Sequence, residues 1–367
     1  MSIDARWDTD RRPSNVRCAV VDVSIVIVNY EGAGVLGRCL DAVALQREVS
    51  FETIVVDNAS TDGSAVEADG REAVTLIRNT SNVGFGRACN EAAKRAAGEI
   101  LLFLNFDSIP EPQWAAALVD TLRQRPEVGA AQGVVLSDRD GDVNTAGNRV
   151  HYLGFGWAPQ GAAPPALDLA PYPTFCASGA ALAIRRNLFD RIGGFWESMF
   201  LYQEDADLSW RVHLVGMDVV CCPRARSHHA YEFSRNREKY FHLERNRLLM
   251  VAANYEAGTL VRLAPALLVT EIGMLAIAAR GGYLRQKLRA MRGSFRALPE
   301  VREQRRRVAA FREVPDAAIA PLLETRLGSE FGGAAALTAP LLKAYVQLFV
   351  PTLRRAASQR QSPPKLR

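Results

Sequence analysis

The densest group of carboxylates in this 367-residue sequence lies in Tyr202-Gln203-Glu204-Asp205-Ala206-Asp207-Leu208-Ser209-Trp210-Arg211. On a helix Glu204 and Asp207, three apart, fall near one face while Asp205 points elsewhere. Mutual repulsion among such neighbours raises the pKa of one of them, which suits a general base. Asp207 also precedes Arg211 by four residues, so a helical ion pair is the role expected of it. A second group, Asn105-Phe106-Asp107, sets an amide and a carboxylate at the end of an apolar run. Asp57 ends another such run, where its carboxylate could accept from the imide N–H of a uracil or thymine. Asn58 and Ser60 would order the turn that follows, and Asp62 could cap the next helix.

A different chemistry competes for the same half of the chain. Gly32, Gly34 and Gly37 form G-x-G-x-x-G after a β-branched run, and Asp57 follows twenty residues after the last glycine. That is the outline of a dinucleotide-binding fingerprint. An NAD(P)-dependent oxidoreductase is therefore the alternative, and it needs Gly32 and Gly34 against a pyrophosphate. Two features weigh against it. Asn29, Tyr30 and Glu31 separate the strand from the first glycine, and Glu31 would bring a carboxylate to an anionic group.

Elements must bring these residues together. Val23–Val28 is a continuous β-branched run, the mark of a strand buried on both faces. A helical pattern follows at Val35–Leu45, then strands at Phe51–Val56 and Ala73–Ile77, a helix near Gly86–Ala97 and a strand at Glu99–Leu104. Alternation at this spacing predicts an α/β fold with a mostly parallel sheet and right-handed crossovers. Ligands of such sheets collect at the carboxyl ends of the strands. Asn29, Asp57, Arg78 and Asp107 all fall at such ends. Further on, Val128–Leu136 reads as a strand, Gly154–Pro173 as a loop over the site, and Glu204–Val215 as a helix. Beyond about residue 236 the pattern is helical.

In chain order, Val28-Asn29-Tyr30, VVDNASTDGS, Arg78-Asn79 with Asn82-Val83-Gly84-Phe85-Gly86 and Asn90, LNFDS, and the Glu204-Asp205-Ala206-Asp207 segment resemble the motifs of family 2 glycosyltransferases. The resemblance runs over about residues 21–255 and points to the rhamnosyltransferase-like branch of bacterial cell-envelope enzymes. It implies a GT-A type nucleotide-binding domain and inverting transfer of a sugar from a nucleotide diphosphate, UDP or dTDP, to a glycan or polyprenyl-linked acceptor. It also implies a cofactor, Mg2+ or Mn2+, on hard oxygen ligands. Asp107 is the metal ligand the resemblance assigns, with Asn105 nearer the ribose or sugar. Here Phe106 replaces the commoner Pro, and Asn105 an Asp. In His228-His229-Ala230-Tyr231-Glu232-Phe233-Ser234 a histidine would complete the metal or pyrophosphate site, His229 in preference to His228. Asp205 is the implied general base, and Glu204 would position the acceptor. Tyr30 would stack near the base, Arg78 would lie beside the nucleotide, and Asn90 would tie the loop. Gly84 and Gly86 read as backbone necessities of that loop. Arg235, Arg237, Arg245 and Arg247 could reach the diphosphate.

Composition bounds the rest. With 48% hydrophobic and 23% charged residues, the chain can bury a large core. Six scattered cysteines without a C-x-x-C pair argue against a disulfide scaffold or zinc ribbon, and for a reducing compartment. The polar first residues hold no apolar stretch of a secretory signal. The net charge of +5 hides an asymmetry, because residues 257–367 carry +12 and the remainder −7. An acidic body with a basic, apolar tail suits an anionic surface better than nucleic acid. Leu263–Ala279 is apolar for seventeen residues save Glu271, short of the about 20 residues of a span. Arg280, Arg285, Lys287, Arg289, Arg292 and Arg296 follow, with Tyr283 and Phe295 among them, and Leu337–Leu353 is a second apolar stretch. Two readings stand side by side: a helix lying in the inner membrane surface, or a helical subdomain packed on the body or in a homo-oligomer. The expected organisation is a leader over 1–20, the catalytic domain over 21–255 and a helical region over 256–367, in a cytoplasmic protein peripheral to the membrane. A membrane-associated scaffold of the same fold without turnover is the non-enzyme alternative.

Overall fold

The computed structural model describes residues 21–138, 141–159, 163–229, 238–326, 344–348 and 350. The expected leader, Tyr231 to Ser234, Arg235, Arg237 and most of the second apolar stretch lie outside them.

The first half is built on strands whose side chains leave no exposed face. All of β1 (Val23–Asn29) is buried, as its β-branched run requires. Helix α1 (Leu36–Ala44), β2 (Phe51–Asp57), β3 (Val74–Arg78), α2 (Phe85–Arg95) and β4 (Ile100–Asn105) follow. Strand β1 pairs in parallel with β2 on one side and β4 on the other, and β3 continues beside β2. The chain thus winds outward from β1 to β3 and returns to the far side of β1. The reversal leaves a crevice at the carboxyl ends of β1 and β4, where Asn29 and Asn105 sit.

Past that point the sheet is mixed. Strand β5 (Ser108–Pro110), α3 (Trp114–Gln124), β6 (Val128–Ser137), β7 (Val143–Thr145), a small hairpin β8 (Arg149–Val150) and β9 (Gly156–Trp157), and β10 (Tyr172–Pro173) lead to β11 (Ala181–Arg185). Strand β11 runs antiparallel between β4 and β6. Helices α4 (Arg186–Arg191) and α5 (Glu204–Leu214) precede β12 (Asp218–His229), which lies parallel to β6 and antiparallel to β5. The sequence Asp218-Val219-Val220-Cys221-Cys222-Pro223-Arg224-Ala225 hides this strand. Pro223 sits in a register shift between Cys222 and Arg226, where it needs no ladder donor. The expected loop over 154–173 contains β9 and β10.

Alternate residues of β1 and β4 serve two cores. Val26, Leu101 and Phe103 pack with Phe195 and Trp210 on one face, and Ile25, Ile27 and Leu104 pack with Trp114 and Leu118 on the other. The first core extends into α6 (Glu238–Asn254), α7 (Ala257–Arg280) and α9 (Leu298–Phe311) through Met250, Leu263 and Val301. Helix α8 (Leu284–Arg296) packs beside α6 and is tied to it by charge. Lys287, wholly buried, lies 2.5 Å from Glu244 and 2.6 Å from Glu271, and Arg247 pairs with both acids. Glu271, which interrupts the apolar run of α7, therefore faces inward. Val261, Leu268, Val269 and Ile272 are left 61–74% exposed. Lys287, expected among the cations of a surface, is part of this interior cluster.

Candidate functional site

The carboxyl ends of β1 and β2 are tied together first. The Asn29 amide donates to Asp57 Oδ1 at 2.8 Å, Ser64 Oγ at 2.8 Å and Ser60 Oγ at 3.1 Å. Asp57 also accepts from the Ser60 hydroxyl at 2.6 Å and the Ser60 N–H at 3.2 Å. A carboxylate offers about four acceptor positions, so one remains on Asp57. Asn29 itself is wholly buried, with its amide turned to Asp57.

The glycine loop carries no phosphate cradle. Glu67 accepts from the N–H groups of Gly34 and Gly37, both at 2.6 Å, and Asp62 accepts from Ala33 N–H at 2.7 Å. Carboxylates already hold the donors that a pyrophosphate would need, and they would repel it. The dinucleotide reading is thereby overturned. Asp62 also accepts from Ser64 N–H at 2.9 Å, while Gly63 is the N-cap of that short turn and no side chain caps it.

At the end of β4, Asp107 Oδ1 lies 2.7 Å from His229 Nε2, and the Asn105 amide lies 3.3 Å from the same nitrogen. Strand alternation separates the paired histidines, so His229 meets Asp107 while His228 turns outward to Glu111 at 3.4 Å. Among the described residues no group of three or more His, Cys, Asp or Glu suited to a metal occurs. One carboxylate and one imidazole converging on one point fit a cation that takes its remaining ligands from phosphates and water, the usual habit of Mg2+.

The carboxylate helix begins beside this point. The Ser178–Ala180 turn joins the two, since Gly179 N–H donates to Asp205 at 3.1 Å and Ala180 C=O accepts from Asn105 N–H at 3.3 Å. Asp205 accepts further from Ala206 N–H at 2.7 Å. Burial raises its pKa, and these backbone donors work against the rise. At Glu204 a backbone donor offsets the rise only in part. This side chain is buried with Oε2 unpaired, and burial followed by the Asp205 and Asp207 charges pushes it up to about 8. Burial and the neighbouring charges thus favour the protonated form of Glu204, while backbone donors favour the ionised form of Asp205. Asp207 is structural: it lies 2.7 Å from Arg211 and accepts from Asn254 at 2.8 Å, wholly buried.

The segment before α5 is strained. Phe200, Tyr202 and Gln203 have φ of 61°, 66° and 71°, each costing about 1–3 kcal/mol unless its surroundings impose it. They are imposed from two sides. Phe85 N–H donates to Phe200 C=O at 2.8 Å, and Asn246 on α6 donates to Met199, Leu201 and Tyr202 carbonyls at 2.7, 2.9 and 2.8 Å. Gly84 has φ +85°, and a Cβ there would stand 2.5 Å from the Phe200 carbonyl.

Other expected residues are engaged elsewhere. Asn90 spends its amide on the Phe195 backbone, donating and accepting at 2.9 Å; it ties α2 to that loop and does not face the site. Arg78 pairs with Asp69 at 3.1 Å on the surface, and Tyr30 is 46% exposed beside the crevice. Arg245 donates to Ser198 C=O, and Arg247 is buried in the charge cluster, so neither is free for a diphosphate. Asn246 and the Ser178–Ala180 turn were not singled out by the sequence.

Residues 24–193 match the sequence model of Glycosyl transferase family 2. The O-antigen biosynthesis protein RfbC of Myxococcus xanthus is 32% identical over 58% of this chain, which spans only 18% of that protein. The N-acetylglucosaminyl-diphospho-decaprenol L-rhamnosyltransferase of Mycobacterium tuberculosis is 28% identical over 60% of this chain and 79% of its own length. The crystal structure of GalNAc-T7 with UDP, GalNAc and Mn2+ superposes with a TM-score of 0.51 over 65% of this chain and 49% of that one, at 18% identity, a likeness of fold. On its ordered motifs, its mostly parallel sheet and the match over residues 24–193, this part of the chain is similar to glycosyl transferase family 2.

Proposed function

We propose that the chain is an inverting, metal-dependent transferase that moves a sugar from UDP or dTDP to a lipid-linked glycan acceptor in cell-envelope polysaccharide synthesis. One observation carries the reading: Asp107 and His229 meet at the switch point, and the Ser178–Ala180 turn bonds both the backbone of neighbouring Asn105 and the Asp205 carboxylate. Asp57 would accept from the imide of the nucleotide base, with Tyr30 beside it. Asp205 would take the proton of the acceptor hydroxyl as its oxygen bonds to the anomeric carbon. The bond from that carbon to the diphosphate oxygen breaks on the opposite face, and the electron pair leaves with the nucleotide. Glu204, protonated, would donate a hydrogen bond to the acceptor and hold it. Mg2+ or Mn2+ on Asp107 and His229 would offset the charge that develops on the leaving diphosphate.

The lipid-linked acceptor is supported by the name of the mycobacterial relative and by the outer face of α7. That helix is the one described element long and apolar enough to cross a membrane. Its inward Glu271 and half-packed face favour lying in the membrane interface, among the arginines that flank it. The test is release of nucleoside diphosphate from UDP- and dTDP-sugars in the presence of a polyprenyl-diphosphate sugar. Metal-dependent release that Asp107→Ala abolishes supports the reading. Absence of any donor turnover by folded protein would favour a non-catalytic scaffold.

A further inference from the structure

Helix α6 reaches the reacting end of the molecule through one side chain. Asn246 is wholly buried, and its Nδ2, with two hydrogens, is shared among the carbonyls of Met199, Leu201 and Tyr202. The neighbouring Arg245 fixes that amide, lying 3.1 Å from Asn246 Oδ1 and donating to Ser198 C=O at 2.7 Å. The backbone held in this way turns left-handed at Phe200, Tyr202 and Gln203 and delivers the chain into α5 at Glu204. The N–H groups of residues near a helix start are unpaired within the helix, so the entry angle decides where the first side chains point. The first two side chains here are Glu204 and Asp205.

We propose that Asn246 is a positioning residue for the Glu204–Asp205 pair, holding the strained 199–203 segment in the one conformation that aims Asp205 at the acceptor. The proposal rests on Asp205 being the base. It assigns a task to a residue far in sequence from the carboxylates, on a helix beyond the family match at 24–193. Without the amide, the segment relaxes toward ordinary φ values and α5 starts at a different angle, while the metal and nucleotide ends at Asp107 and Asp57 stay as they are.

The test is turnover by the full chain of Asn246→Asp, which keeps the side-chain size and replaces its N–H donors with oxygen, alongside Asn246→Ala. The expected result is a fall in kcat of tenfold or more, with the Kd for UDP or dTDP and Mn2+ within twofold of the parent. The acid limb of kcat against pH should also move by half a unit or more, because Asp205 leaves its backbone donors. A folded variant with parental kcat and pH profile overturns the proposal. So does a loss of turnover that merely tracks the unfolded fraction while the profile stays put. Should neither variant fold, Arg245→Met removes the Ser198 anchor of the same segment and carries the same expectations. Asp205→Asn run in parallel separates the two levels. An inert Asp205→Asn beside a parental Asn246→Asp sinks the role of Asn246 alone. A fully active Asp205→Asn sinks the assignment of the base and the proposal with it.

Discussion

Two adjacent carboxyls can divide acid and base work only if their surroundings differ, and Glu204 and Asp205 differ in their donors. Asp205 accepts from two backbone N–H groups, whereas Glu204 is buried with an unpaired oxygen and pushed up to about 8. Asp205→Asn should therefore cost about 10²–10⁴-fold in kcat, the usual worth of a positioned base. Glu204→Gln, which copies the protonated form, should stay within about tenfold of the parent, because a neutral donor suffices there. The same shift has a stability consequence. A carboxyl whose folded pKa is raised binds more protons folded than unfolded, so its contribution is complete below about 4.5 and lost as pH rises toward about 8. Thermal melts should show Glu204→Gln gaining on the parent between pH 5 and 8, by at least about 1 kcal/mol, the worth of one pKa unit. A constant difference across that range would mean that Glu204 is ionised. The carboxylates, Asp107 and the preference for His229 were legible because motif type and strand alternation are local properties. The buried partners of Asn29 and Asn90 were not legible, since they lie on elements that sequence spacing does not bring together.

At the scale of elements, the site exists because two irregular segments meet. The Gly84 turn and the 199–203 segment share the bond from Phe85 N–H to Phe200 C=O. Gly84→Ala would force a Cβ against the Phe200 carbonyl at a positive φ. Denaturant unfolding should show a loss of about 1–3 kcal/mol or more, and turnover should fall with it. An unchanged midpoint and activity would mean that the two segments are not coupled. The first four strands and two helices read clearly from the sequence, because a sheet buried on both faces writes continuous β-branched runs. Strand β12 did not, since Pro223 interrupts it and the bulge that accommodates that residue is a tertiary event. The glycine pattern misled for a related reason: the spacing of Gly32, Gly34 and Gly37 is that of a phosphate loop, but Glu67, thirty residues later, fills it.

Across the whole molecule, the buried charges of the C-terminal helices decide which way α7 faces. Glu271 pairs with Lys287 and Arg247 in the interior, leaving the apolar stripe of Val261, Leu268, Val269 and Ile272 outside. Glu271→Gln would leave Lys287 and Arg247 sharing Glu244 alone, and should cost about 3–5 kcal/mol in unfolding free energy. If the stripe meets lipid, Leu268→Asp with Ile272→Asp should cut flotation with anionic vesicles at least tenfold without changing the melt, and neutral vesicles should bind the parent weakly. Equal binding by parent and variant would assign the stripe to protein packing instead. The central claim, a nucleotide-sugar site at the ends of β1, β2 and β4, is tested most directly by melting temperature with UDP, dTDP, GDP and NAD, each with and without Mn2+ or Mg2+. Binding to the native state raises the melting temperature according to ligand concentration over Kd. The expected result is a metal-dependent rise with UDP or dTDP that disappears in Asp107→Ala. A rise with NAD alone, indifferent to metal and to Asp107, would contradict it.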